Sequence, residues 1–259
     1  MKALHINWKN NYLKIFGLGL LVSFLFFLPF LIYDKGLFLY YGDFNVQQIP
    51  FYSLAHDAVQ SGDIFWNWNT DLGVNFIGSY SFYLLGSPFF WITLLFPSGA
   101  VPYLMAPLLM LKFALTGVTG YAYIRRFTQK DNTAFLGGLL YAFTGFNIYN
   151  IFFNHFNEAV LVFPILLIAM EEFVINGRRG GFALAVALCA VVNYYFFFGQ
   201  VLFCILYFFL RCTSKDFRMN VRKFLLMLLE AVLGVLLAAF ILLPSFWAVI
   251  QNPRTGQTL

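Results

Sequence analysis

Charge is scarce in this chain of 259 residues. Asp, Glu, Lys and Arg together make up 10% of it, where a soluble globular domain carries about a quarter. A soluble fold is excluded on that count, and disorder is excluded because it needs low hydrophobicity with high net charge. Cysteine is sparse too. Cys189, Cys204 and Cys212 show no metal-type CxxC spacing and lie in or beside apolar runs, so they read as small buried hydrophobes and not as a disulfide framework. No phosphate-cradling Gly-rich loop, nucleophile elbow or zinc motif occurs, which argues against an enzyme that works on ATP or nucleotide sugars. Internal repeats and low-complexity linkers are missing as well.

Apolar residues fill the space. They account for 61% of the chain, aromatics for 21% with 35 Phe, and the mean hydropathy is +0.76. The fold class predicted is all-α: a polytopic transmembrane helical bundle forming a single domain over residues 1–259. The net charge of +5 does not mark a nucleic-acid partner, because the basic residues form no single patch. They fall in short clusters between apolar runs, at Lys2/Lys9/Lys14, Arg125/Arg126/Lys130, Arg178/Arg179 and Arg211/Lys215/Arg218/Arg222/Lys223, as cytoplasmic loops do under the positive-inside rule.

A bilayer core takes about 20 apolar residues per helix. That length predicts spans over about 13–33, 104–124, 134–151, 159–175 and 222–243. The first is too long for the roughly 7–15-residue apolar core of a signal peptide and is expected to stay uncleaved. Segment 80–97 is apolar but broken by Gly86 and Pro88, and a full crossing there would carry Arg125, Arg126 and Lys130 outside. It is therefore expected to be a juxtamembrane helix within a first extracellular loop, 34–103. Segment 182–211 begins and ends beside basic residues, so it is expected to turn near Asn193–Gln200 and cross twice, as 182–193 and 199–211. Seven crossings result, with the N-terminus cytoplasmic, the first loop outside and the C-terminus outside. All basic residues but Lys35, Lys112 and Arg254 are then cytoplasmic, and most acids (Asp34, Asp43, Asp57, Asp63, Asp71 and Glu158) are external. The chain closes just past a span, at Asn252–Leu259, and is expected to be the N-terminal portion of a longer protein.

The first loop holds most of the available chemistry. Asp43 follows Gly42 at the outer mouth of the first span, where a carboxylate serves as a general base or holds a cation. Asp is equally a preferred helix N-cap, and spacing alone leaves both readings open. Gln47, at i+4, shares the helical face of Asp43 and, with Tyr52 of the same motif, is a candidate for substrate binding. Lys112 lies inside the span 104–124, where an ionisable group is costly and by default functional. It would neutralise the phosphate of a lipid carrier, or else snorkel to the interface or pair with a carboxylate such as Glu230. Glu230 itself reads as a structural partner in the bundle. In the second outer loop His155 and Glu158 share a helical face and are candidates for sugar or diphosphate binding, a metal pair, or a plain polar cap; no metal site is assigned. Trp66, Trp68, Tyr80, Tyr83 and Trp91 either stack on sugars or form an interfacial belt. Asn193 and Gln200 are expected to satisfy freed backbone groups.

The string GDFNVQQIPFY after the first span, then SGDIFWNWNTDLGVNF and YSFYLLGSPFFWITLLFP, closely resembles the YfhO family of bacterial membrane proteins. That resemblance implies a GT-C-type bundle, the fold of multi-spanning glycosyltransferases that use polyprenyl-phosphate sugars. It implies that Asp43 matches the first-loop Asp that acts as catalytic base, deprotonating the acceptor hydroxyl while a lipid phosphate leaves the anomeric carbon. The donor would be a polyprenyl-phosphate-linked sugar, with a divalent cation as an optional cofactor, and the acceptor a cell-envelope polymer such as lipoteichoic acid on the outer face of a bacterial membrane. Two other readings compete: a transporter or flippase of lipid-linked sugars, and a non-catalytic scaffold of envelope assembly. A single long acidic first loop, acids gathered on one face and no inverted repeat favour the enzyme.

Overall fold

The computed structural model describes residues 8–70 and 72–251; Lys2, Asp71, Arg254 with the tail 252–259, and the side chain of Lys9 lie outside the described residues. The described residues fold as helices, with one two-residue antiparallel pair among them. Helix α1 is Trp8–Tyr33; a π-turn, Phe44–Gln48, opens into α2, Ile49–Ser61. Strands β1, Trp66–Asn67, and β2, Val74–Asn75, lead to α3, Phe76–Tyr80, which a second π-turn, Ser81–Leu85, extends, and then to α4, Pro88–Thr93. The remaining helices are α5, Val101–Ile124; α6, Asp131–Ala142; α7, Gly145–Tyr149; α8, Asn154–Asn176; α9, Gly181–Val192; α10, Tyr194–Cys212; α11, Val221–Leu237; and α12, Ala239–Ile250.

Helix α5 is the axis of the bundle and packs on α1, α6 and α8. Its spanning stretch is 61% buried, against 22% for α1 and 17% for α10, whose other faces stay apolar and open, as lipid contact requires. Small residues set the closest approach: a Cβ on Gly138 of α6 would lie 2.7 Å from the carbonyl oxygen of Gly117 of α5, so only glycine lets these backbones meet. Pro164 inside α8 has no N–H for the carbonyl of Val160, and the Tyr141 hydroxyl of α6 donates to that oxygen at 2.7 Å.

Helix courses differ from the expected spans in three places. Stretch 134–151 is not one helix: α6 stops at Ala142, and Thr144, whose hydroxyl accepts from Asn147 N, caps the short α7. The turn expected across Asn193–Gln200 is confined to Asn193. Its extended backbone (φ −159°, ψ 97°) and its side chain, which accepts from Phe196 N, start α10 at once, and Gly199 lies inside that helix. Stretch 222–243 is two helices, α11 and α12, bent by 69°. Among the described residues three helices are long and apolar enough to cross a membrane (Asn11–Tyr33, Ser98–Ile124 and Tyr194–Cys212), or four if the bent pair counts as one. The expected seven also include α8, 23 residues long, the short α9, and the interrupted α6–α7 stretch.

Candidate functional site

Two polar groups meet at the end of the bundle where the first loop packs. The open one is built on the π-turns. Gly42 adopts φ +56°, a conformation that costs other residues strain, and turns the chain directly before Asp43. Asn45 closes this turn by accepting from Tyr40 N at 2.9 Å and donating its amide to Tyr40 O. Asp43 itself has helical torsions (φ −63°, ψ −15°), and its side chain makes no capping hydrogen bond. The capping alternative is thereby removed. The carboxylate is half-buried, and the second π-turn places the phenol of Tyr83 beside it, also within reach of the Gln47 side chain and near Tyr194. Burial raises the Tyr83 phenol above its ordinary pKa, and the Asp43 charge adds to that, while the hydrogen bond with Gln47 opposes it. π-turns concentrate at functional sites because they redirect side chains that a regular helix would carry elsewhere.

The second group is closed. Lys112 of α5 is 1% exposed, and its ammonium has three partners: Glu158 Oε1 at 2.6 Å, Asn154 Oδ1 at 2.7 Å and Asn154 O at 3.2 Å. An ammonium has three hydrogens, so none is left for a phosphate. Nor does Lys112 pair with Glu230, which instead accepts from Gly180 N at 2.9 Å and Ala183 N at 3.4 Å and caps α9 from α11. Ser87 donates to Glu158 Oε1 at 2.7 Å while accepting from Phe89 N and Phe90 N, so one hydroxyl both caps α4 and joins the ion pair. Tyr52, also buried, donates to Asn154 Oδ1 at 3.4 Å; burial first, and then the nearby Glu158 charge, raise its phenol well above the ordinary value.

A chain of side chains runs from the open group to His155, the neighbour in sequence of Asn154. Buried His155 Nδ1 lies 3.2 Å from Gln48 Oε1, and Gln48 Nε2 donates to Gln47 Oε1 at 3.2 Å. The imidazole packs edge-to-face on Phe82 and Tyr83, and its Nε2 has no partner among the described residues.

Of the residues expected to bind substrate, Gln47 stands with Asp43, Tyr52, Lys112 and Glu158 form the closed cluster, and His155 joins the open group through Gln48. His155 and Glu158 do not converge on a common ligand, because Glu158 is held by Lys112 and Ser87. Among the described residues no three His, Cys, Asp or Glu side chains converge. Sequence reasoning missed Ser87, Asn154 and Gln48 as members and Tyr83 as a polar one. The Ser-Pro cap before α4 was a readable signal for Ser87; the others had none.

The fold and these buried charges define a multi-spanning helical membrane protein with an elaborate polar cluster under its first loop. A family described as bacterial membrane protein YfhO matches residues 15–259, and the chain belongs to that family. No curated protein and no solved structure matches it.

Proposed function

We propose that the protein is a membrane glycosyltransferase of GT-C type that moves a sugar from a polyprenyl-phosphate donor to a hydroxyl of a cell-envelope polymer such as lipoteichoic acid. Its first loop faces outward and its N-terminus the cytoplasm. The observation that carries this reading is Asp43: a half-buried carboxylate at the bundle mouth, free of any capping bond and flanked by the Tyr83 phenol and the Gln47 amide. In the reaction Asp43 takes the proton of the acceptor O–H. The acceptor oxygen bonds to the anomeric carbon as the bond from that carbon to the phosphate oxygen breaks, and the electron pair leaves with the lipid phosphate. Tyr83 and Gln47 offer hydrogen bonds to sugar or phosphate oxygens. Lys112 and Glu158 support the site from behind as a neutralised pair, which keeps a rigid wall beneath the mouth.

The test is the sugar content of the envelope polymers in cells with and without the protein. Loss of one glycosyl substituent on deletion, restored by the wild-type gene, is expected. Identical compositions would contradict the reading.

A further inference from the structure

The loop between Gly62 and Asn75 uses many hydrogen bonds to hold apolar side chains away from any core. Asn69 N donates to Asn67 Oδ1 at 2.8 Å, Gly73 N to Thr70 O at 2.9 Å and Phe76 N to Phe65 O at 3.0 Å, and the Thr70 and Tyr80 hydroxyls share a 2.8 Å bond. Strands β1 and β2 pair in register, Trp66 with Asn75 and Asn67 with Val74. Gly73 has φ +103°, and a Cβ there would lie 2.6 Å from Trp66 Nε1 and 2.8 Å from the Trp68 ring, so both indoles rest on a surface only glycine provides. These bonds hold the described residues of the loop, yet Phe65 is 72% exposed, Trp68 74% and Leu72 94%, with Trp66 and Ile64 also exposed.

An exposed apolar tip held by such bonds marks a surface that another phase or molecule covers. Its composition and position select the phase. Aliphatic Ile64 and Leu72 contribute nothing to stacking on a sugar, whereas indole mixed with aliphatic side chains suits the bilayer boundary, where the ring lies in the apolar zone and its N–H stays wet. The loop joins two spanning helices, α1 and α5. At its base Asn75 lines one cavity with Leu243, Phe246 and Trp247 of α12, whose outer face is as exposed as the tip and belongs to the bent spanning pair. Helix α3, which follows β2 directly, packs on α12.

We infer that the tip formed by Phe65, Trp66, Trp68 and Leu72 inserts into the lipid interface beside α12, on the side of the membrane where the first loop lies. This anchor fixes the first loop against the membrane surface, and it stands whether or not the transferase reading does.

The test is a nitroxide on Leu72→Cys, with Cys212→Ser removing the exposed native thiol, in vesicles of phosphatidylcholine and phosphatidylglycerol. A second label on the polar Asn69→Cys guards against the nitroxide drawing the tip into lipid by itself, and Val46→Cys, on the exposed π-turn, supplies an aqueous reference. Collisions with oxygen dissolved in lipid are expected to dominate at both tip positions, and collisions with aqueous nickel chelate to be lost relative to Val46. Nickel collisions equal to those at Val46 would overturn the inference. So would a tip that stays aqueous while a soluble oligosaccharide protects it, which would make it a carbohydrate platform instead.

Discussion

Lys112 shows how a buried charge acquires a role. An ammonium inside a membrane helix costs several kcal/mol unless it is paired and hydrogen-bonded. Asn154 and Glu158 take its three donors, and Ser87 adds a donor to Glu158 Oε1, drawing α5, α8 and the α4 cap into one cluster, while Glu158 Oε2 has no partner among the described residues. Substituting Lys112→Met is expected to strand Glu158 and to destabilise the protein by about 3–5 kcal/mol, read as thermal unfolding in detergent. Adding Glu158→Gln should restore much of that loss. If Lys112→Met alone leaves stability unchanged, the ion pair is not what holds the cluster. The sequence marked Lys112 as costly inside a span and Glu158 as a binding candidate in the second outer loop, and it offered Glu230 as an example of a partner, since no periodicity shows which of several acids will face a given lysine. Asp43 was more legible: Gly42 before it and Asn45 after it are the residues that a tight turn needs, and both serve the turn.

Helix ends were legible where one residue type decides them and illegible where packing does. Asn193 and Ser87 cap their helices through their own side chains, and each is a residue that favours that position. Gly199, read as part of a turn, lies within α10 with open space beside it, because a lone glycine costs a helix only about 1 kcal/mol. The N-terminus of α9 has no cap of its own: Gly180 precedes it, and the carboxylate of Glu230 arrives from α11 to accept two of its N–H groups. Removing that acceptor by Glu230→Ala should cost about 1–3 kcal/mol, while Glu230→Gln, which keeps one oxygen, should cost distinctly less. Denaturant unfolding in detergent reads both, and equal losses would mean that α9 is held by packing alone. The bend between α11 and α12 had no sequence signal at its own position, Ala238; Pro244 lies beyond it, inside α12.

At the scale of the whole molecule, charge asymmetry organises the bundle. Ion pairs Arg126–Glu172 and Arg211–Glu171 and the pair Arg125–Asp131 gather at one end, while Asp43, Tyr83 and the α2 helix gather with the first loop at the other. The positive-inside rule puts the first end in the cytoplasm. Single cysteines at Ser98 and Phe198, both on the first-loop side in this topology, should therefore react with an impermeant thiol reagent added outside intact cells, and one at Lys130 should not. Labelling of Ser98→Cys or Phe198→Cys only from the cytoplasm would invert the arrangement. The proposed function uses the same polarity: with Asp43 as the base at the outer mouth, the acceptor would lie outside. The most direct measurement replaces the chromosomal gene by an Asp43→Asn allele and compares the envelope glycosyl content with wild type and deletion, alongside the amount of protein in the membrane. Since the Asp43 side chain makes no capping bond, the nearly isosteric Asn should leave the protein at normal abundance. The account predicts that this allele nonetheless matches the deletion; normal glycosyl content at normal abundance would contradict it.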